Sequence, residues 1–423
     1  MTSVSWIWID THPYLINALR RIILSDLDVV AIPNKILKKD DEYGIKIHKN
    51  SGKLHNEFIA HRISMLPINL IPSQLAHGIP EFVLNKKQTG ILSGKDIQIK
   101  KQVNPLYSKF EPNIDYVESE SIIHNSFKIQ CPELLSILKE NKEKIIAHIN
   151  ENSSPMITRL YDSEELDITM RPSISTAKEN GGHSLIKQCN FIQQSNPSNY
   201  LFQIHTIDTT HDMQTLIRTS FDKLLLRLRR LQNYVHGGIE ICVGSTHVWL
   251  QDVIDPTCKA NLKVNGKLIY GITISCIHGS KMCLTLPPSF QLLSTESIES
   301  IIVEALDNKG EIEFKDITIT RHFLSKNIVS TNPFIIRMDY ESYTLGNLIQ
   351  GHMFKTEVED EKSQCNEFSF SKPYPLDDYI LFRIGLHENA TKDDYFETVY
   401  RSVDNAIELV LSEKEKVLNS TKF

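Results

Sequence analysis

Apolar positions along the chain follow two rhythms. Short stretches alternate apolar and polar residues, as half-buried strands do. A few longer ones repeat every three or four residues, as helices with one buried face do. Residues 4–10 are apolar and rich in Trp and Ile, which predicts a strand. Asp10-Thr11-His12-Pro13 then offers a helix cap, from Asp10 or Thr11, and a first-turn proline. Leu15, Ala18, Leu19, Ile22 and Ile23 predict a helix reaching about Ser25 with one buried face. Residues 29–37 read as a strand and 38–53 as a polar, turn-rich stretch. A second helix is expected over 54–66, with Phe58, Ile59, Ile63 and Leu66 as its apolar face and Pro67 as its stop. Between 70 and 191, alternating runs at 90–92, 96–99 and 166–170 predict a β-rich module, interrupted by a helix at 132–150. Asn180-Gly181-Gly182-His183 reads as a tight turn.

Residues 200–207 alternate like a strand, and the strongest periodic signal follows at 208–235. Ile217, Phe221, Leu224, Leu228, Leu231 and Val235 step by four and three, making a seam that packs on another helix at a shallow angle. Arg218, Lys223, Arg227, Arg229 and Arg230 lie off the seam, and Gly237-Gly238 ends the helix. Residues 239–319 are β-rich again. Strands are expected at 334–339, 367–370 and 379–386, and helices at 344–355 and 392–416. In the last helix Phe396, Val399, Val403, Ala406 and Val410 repeat the seam.

The two ends therefore share a plan of strand, short helix, further strands and long amphipathic helix. Residues 14–19 can be set against 344–349, with Asn17 opposite Asn347. Each long helix carries a seam wider than a small sheet would cover, so neither half closes a core alone. The economical solution is pseudo-symmetric pairing of the halves within one chain. Ile217, Phe221, Leu224 and Leu228 would serve it from one side, and Leu345, Gly346, Asn347, Phe396, Val399 and Val403 from the other. Gly346 and Asn347 would act at the helix start and in close packing. The expected fold is α+β, in four parts: a dimerisation half at 1–70 plus 195–238, a β-rich insert at 71–194, a β-rich connecting region at 239–325 and a second half at 326–423.

Composition narrows the function. A chain of 423 residues can hold two or three cores, and 41% hydrophobic and 23% charged residues are ordinary globular usage. A formal charge of −6 excludes a nucleic-acid-binding polycation and points to protein partners, with a local basic patch still open. Seven cysteines (Cys131, Cys189, Cys242, Cys258, Cys276, Cys283 and Cys365), without a CxxC pair, suit free thiols in a reducing compartment. The start has no secretory pattern, and no apolar run approaches the ~20 residues that span a bilayer. A soluble, intracellular protein is expected. GxxxxGK[ST], HExxH, GxSxG and DxDxD motifs are all missing, so no catalytic residue is expected.

Asn17-Ala18-Leu19-Arg20-Arg21-Ile22-Ile23-Leu24-Ser25 resembles the first-helix motif of the RNA polymerase alpha-type subunits. These are the bacterial alpha amino-terminal domain, the third subunit of eukaryotic polymerase II and its archaeal counterpart. The stretch 55–68 (HNEFIAHRISMLPI) resembles their second motif. Residues 343–349, then Tyr374-Pro375-Leu376 and Leu381-Phe382-Arg383-Ile384, resemble the small partner, the eleventh subunit of polymerase II or its archaeal counterpart. The resemblance covers roughly 1–240 and 325–423. A fused version resembles the joined third and eleventh subunits of large nucleocytoplasmic DNA viruses.

The resemblance implies a non-catalytic assembly platform of a DNA-directed RNA polymerase. Its partners would be the largest and second-largest subunits and a small protein like the tenth subunit. No sequence-specific nucleic-acid contact and no membrane are implied. The expected location is host cytoplasm and virion for a viral chain, or the nucleus for a cellular one. Asn17, Arg20, Arg21, Glu57, His61 and Arg62 would bind partners, with Arg20 and Arg21 on the second-largest subunit and Arg21 favoured. From the residues alone, 17–21 equally fits an amphipathic helix with a solvated basic face. Glu57, His61 and Arg62 equally fit a local charge network on one helix flank. Some relatives hold zinc or an iron–sulfur cluster on cysteines of the insert. The equivalent stretch 71–82 has none, so no metal or cofactor is expected there. Cys242, His247, Cys258, Cys276, His278 and Cys283 could supply four zinc ligands, but their spacings match no standard zinc knuckle, and cysteines of β-rich regions are commonly small apolar residues. A regulatory adaptor using the same fold outside a polymerase is the alternative function; a DNA-reading factor is disfavoured by charge.

Overall fold

The computed structural model describes residues 3–37, 43–68, 70, 79–103, 155–207, 212–235, strands within 239–321, and 334–339, 341–359, 365–377, 379–387 and 392–420. β1 (Ser3–Trp8) buries Trp6 and Trp8 and exposes the alternate positions Ser5 and Ile7. In α1 (Pro13–Ser25) the proline takes the first turn, where its missing N–H costs nothing. The N-cap is His12, with no side-chain cap, so neither Asp10 nor Thr11 plays the expected part. The turn is held by the backbone instead: Asp10 adopts φ 51°, and Thr11 N–H donates to the Ser198 carbonyl at 3.0 Å. Leu15, Ala18, Leu19, Ile22 and Ile23 are all buried.

The strand expected at 29–37 is shorter. β2 (Asp28–Ala31) stops before Pro33, which has no N–H for a ladder. β3 (Gly44–Asn50) lies where a turn-rich stretch was expected. Exposed Lys46, His48 and Lys49 hide it from an apolar pattern; it exists because its backbone pairs with a later strand. α2 (Asn56–Ser64) is shorter than expected, and Phe58 is not on its buried face but 59% exposed. One residue of helix turns about 100°, so Phe58 cannot share the face of buried Ile59 and Ile63.

The insert is a run of short strands: β4 (Ile79–Lys86), β5 (Gly90–Ser93), β6 (Gln98–Val103), β7 (Met156–Leu160), β8 (Leu166–Arg171) and β9 (Ser173–Thr176). They form a sheet of order β3-β8-β4-β6 and the ladders β5-β7 and β2-β9. The helix expected at 132–150 lies outside the described residues. β10 (Ile186–Gln193) and β11 (Tyr200–Thr206) join β1 in the order β1-β11-β10, and α3 (Met213–Val235) follows. The connecting region holds β12 (Ile239–Gly244), β13 (Ala260–Val264), β14 (Lys267–Ile269), β15 (Thr273–His278), β16 (Lys281–Leu286), β17 (Ile301–Ala305), β18 (Glu311–Phe314) and β19 (Ile317–Arg321). These make two antiparallel sheets, β15-β16-β12-β19 and β14-β13-β17-β18. β20 (Phe334–Asp339), α4 (Tyr343–Met353), β21 (Cys365–Ser371), β22 (Tyr379–Leu386) and α5 (Lys392–Ser420) complete the chain, with sheet order β20-β22-β21. Among the described residues no helix is long and apolar enough to cross a membrane.

Among the described residues two cores form, and the expected boundaries cut across both. The first gathers β1, α1, β10, β11 and α3 with β20, α4, β21, β22 and α5; Leu19, Phe202, Phe221 and Leu228 share it with Leu345, Phe382, Val403 and Val410. It includes 186–193, which sequence reading gave to the insert. The second holds Val30, Ile45, Ile59, Ile63, Phe82 and Ile168, so β2, β3 and α2 share a core with the insert, while Asp28 of β2 still pairs with Lys223 of α3 at 2.8 Å. Periodicity shows which face of an element is buried, not which neighbour covers it.

Candidate functional site

The candidate surface is built where the ends of the chain meet. α1 packs on α4, and α3 on α5. At the first crossing Arg21 Nε donates to Thr344 Oγ1 at 3.0 Å. On the other side a Cβ placed on Gly351 would lie 2.6–2.9 Å from the Cδ1, Cγ and Cβ of Tyr14, so only glycine permits this approach. Gly351→Ala is therefore expected to destabilise the chain. Overpacking of about 1–3 kcal/mol outweighs the ~1 kcal/mol that alanine gains in a helix. Gly181→Ala, whose Cβ would meet nothing within 4 Å, is the control; equal melting temperatures for the two variants would refute the close approach. His12 stacks on Tyr14 (centroids 5.1 Å apart), with Lys355 Nζ 3.2 Å from its Nε2. Burial, then Lys355, lowers the His12 pKa, so the ring accepts from the ammonium. Burial also pushes His352 down to about 4 and Tyr14 up to about 12, leaving both neutral at this crossing.

At the second crossing Lys414 donates to Asp222, and Gln232 to Asp404. Ile217, Phe221, Leu224, Leu228, Val399 and Val403 are buried here. The Phe396 side chain lies outside the described residues. Leu345 and Gly346 are buried, and a Cβ on Gly346 would collide with the Phe370 ring. Asn347, expected among the pairing positions, is exposed. It falls between the Leu345 and Leu348–Ile349 contacts of α4, off their face.

A buried charge cluster joins the two ends. Arg227 reaches Asp26 at 2.6 Å and Glu341 at 3.8 Å, and Arg230 reaches Glu341 at 3.3 Å. The Arg230 and Glu341 side chains are each only 2% exposed. Among the described residues two guanidiniums of one half face a carboxylate of each half, Asp26 and Glu341. Trp8 Nε1 donates to buried Glu413, which also pairs with Lys416 at 2.6 Å. Sequence reading missed Glu341, Glu413 and the burial of Arg230. A lone charge beside a seam carries no signal that its partner sits far along the chain.

The residues expected to bind partners are scattered over this frame. Asn17 Oδ1 accepts from Arg20 Nε (3.1 Å) and Nη2 (3.0 Å), fixing that guanidinium against α1. Arg21, favoured as the outward contact, is instead turned onto Thr344 within the chain. Glu57, His61 and Arg62 are exposed on α2, and Arg62 Nη1 donates to the Ile157 carbonyl at 3.0 Å. That bond ties α2 to β7. His183, in the turn at Gly181–His183, is buried; its Nδ1 is 2.7 Å from Ser175 Oγ and its Nε2 2.9 Å from the Ser64 carbonyl. It thereby joins α2 to β9, a structural role that sequence reading did not assign. Among the described residues no group of three His, Cys, Asp or Glu side chains could hold a metal.

No family model matches the chain. Over 131 residues it is 25% identical to DNA-directed RNA polymerase subunit Rpo3 of Pyrobaculum aerophilum, covering 27% of this chain and 46% of that protein. Over 55 residues it is 36% identical to the Conjugation stage-specific protein of Tetrahymena thermophila, covering 13% of this chain and 14% of that protein. The chain thus spans less than half the length of either relative it matches. The first match is a distant similarity to an archaeal RNA polymerase subunit, in a chain whose architecture is α+β.

Proposed function

We propose that this chain is a non-catalytic assembly platform of a multisubunit DNA-directed RNA polymerase, with an alpha-type half and its small partner fused in one polypeptide. One observation carries the reading. Tyr14 meets Gly351 and Arg21 meets Thr344. The alignment that sets Tyr14 against Thr344 also sets Arg21 against Gly351, so these are one contact made twice from opposite sides. The long helices repeat the relation, because the register that sets Asp222 against Asp404 sets Gln232 against Lys414. Such exchange is the mark of an isologous interface between related units. The distant similarity to an archaeal polymerase subunit supports the same reading.

In this reading the largest and second-largest subunits dock on the outside of the paired halves, with a small protein like the tenth subunit. RNA synthesis belongs to those large subunits. The fusion favours a polymerase of a large nucleocytoplasmic DNA virus, working in host cytoplasm and carried in the virion. Tagged full chain, expressed with its own polymerase, should co-purify with the two largest subunits. Its recovery without them from cells that contain assembled polymerase would overturn the proposal in favour of an adaptor.

Arg20 is the better candidate for the partner contact, because Asn17 holds its guanidinium and, among the described residues, no bond ties it to the C-terminal half. Arg20→Ala should leave stability within about 0.5 kcal/mol. It should weaken recruitment of the second-largest subunit by the ~2–5 kcal/mol of a lost interfacial charge pair. Unchanged recruitment at limiting concentration would remove Arg20 from the interface.

A further inference from the structure

The connecting region brings Cys242 beside two cysteines, Cys276 and Cys283, that lie seven residues apart on consecutive strands. Cys242 of β12 stands directly opposite Cys283 of β16, and Cys283 stands directly opposite Cys276 of β15. The order β15-β16-β12 therefore sets Cys276, Cys283 and Cys242 in one row across three adjacent strands, on one face of the sheet. Of the other members of the set singled out from sequence, His278 ends β15 two residues beyond Cys276, opposite Lys281, and Cys258 and His247 lie outside the described residues.

Spacing decides what such a row can do. Directly opposed residues of an antiparallel pair have Cα atoms about 4.5 or 5.5 Å apart. That falls inside the ~4.4–6.8 Å range that a disulfide bridges. The outer cysteines are two strand spacings apart, about 9.5 Å. Zinc-bound thiolates lie ~2.3 Å from the metal and hence within about 4 Å of one another, so both outer side chains would have to lean fully inward across Cys283 to share one ion. A row suits one bond between neighbours better than one metal shared by all three.

We propose that Cys283 is the shared member of two mutually exclusive disulfides, Cys283–Cys242 and Cys283–Cys276, and that the row is a reversible thiol-oxidation site. The oxidant class is a low-molecular-weight disulfide. A cysteine thiolate of the row attacks it, forming a mixed disulfide and releasing one thiolate. A neighbouring thiolate of the row then attacks the protein sulfur of that mixed disulfide and releases the second. Two protein thiols lose two electrons and two protons, and the small disulfide becomes two thiols. The third cysteine remains reduced and can attack Cys283 in turn, which moves the bond from one neighbour to the other without further oxidant. In the reduced compartment that the cysteine usage suits, such a bond is transient.

The test uses the full chain, treated with oxidised glutathione, alkylated under denaturing conditions and digested without reduction. Mass spectrometry should find both Cys283–Cys242 and Cys283–Cys276 peptides, each lost on adding dithiothreitol. Cys283→Ser should abolish both, Cys242→Ser should leave only Cys283–Cys276, and Cys276→Ser only Cys283–Cys242. The two outer variants keep the test decisive if Cys283→Ser does not fold. Full alkylation of all three cysteines after oxidation would overturn the proposal, as would a disulfide excluding Cys283. So would one equivalent of zinc on the untreated chain that protects the three thiols from alkylation.

Discussion

Glu341→Ala is expected to destabilise the chain by about 3–5 kcal/mol, the usual cost of removing one partner of a buried ion pair. Glu341 immediately precedes the Ser342 cap of α4, and its carboxylate faces Arg230 at 3.3 Å and Arg227 at 3.8 Å. Both arginines lie on α3, in the other half of the chain. The substitution removes a buried carboxylate that both guanidiniums face, and Arg230 lies almost wholly out of water. Burial is what makes the effect large, since a solvated pair of the same geometry contributes about 0–1 kcal/mol. The cost comes from breaking a pair of buried charges, so the two losses should not add: the double variant Arg230→Met with Glu341→Leu should cost less than the sum of Arg230→Met and Glu341→Leu made singly. Urea unfolding of the unsubstituted chain, these two single variants and their combination forms a double-mutant cycle, with Glu341→Ala measured beside it. A loss below about 1 kcal/mol for Glu341→Ala, or strict additivity in the cycle, would show that the cluster does not hold the halves together.

Phe221→Ala should cost a similar ~3–5 kcal/mol, through lost burial and the cavity left behind. Phe221 is fully buried on α3, with its ring set edge-on to Trp8 at 6.1 Å. It belongs to the core that also contains Val399, Val403 and Val410 of α5. The location of the loss is therefore as informative as its size. Hydrogen exchange should accelerate in Lys392–Ser420 together with Met213–Val235, because α5 packs on α3. Exchange in Phe82, Leu84 and Ile168, which lie in the second core, should change little. Faster exchange confined to α3 and β1 would mean that the halves hold separate cores, and the platform reading would lose its basis.

Local rules reached far along this chain. α1 needed only its buried stripe and Pro13, and α3 needed only its four–three seam. A helix buries one face whatever covers it, so both were legible without a partner. β3 was not, because Lys46, His48 and Lys49 face out and its stability comes from pairing with β8. Phe58 misled because an apolar residue is a poor witness to its own burial when it lies one step from a strong face.

The candidate surface divides along the same line. The amino-acid sequence by itself determined which residues form the seams and that strand, short helix and long amphipathic helix recur at the two ends. These are local or repeating signals, carried by residues a few positions apart. Only the tertiary structure decided that Arg21 bonds Thr344, that Gly351 admits Tyr14, that Arg230 meets Glu341 and that Cys242 stands opposite Cys283. Each of these joins residues whose separation along the chain carries no spacing rule. A guanidinium or thiol reads the same in sequence whether it meets water or a partner, and the fold alone brings that partner within bonding distance.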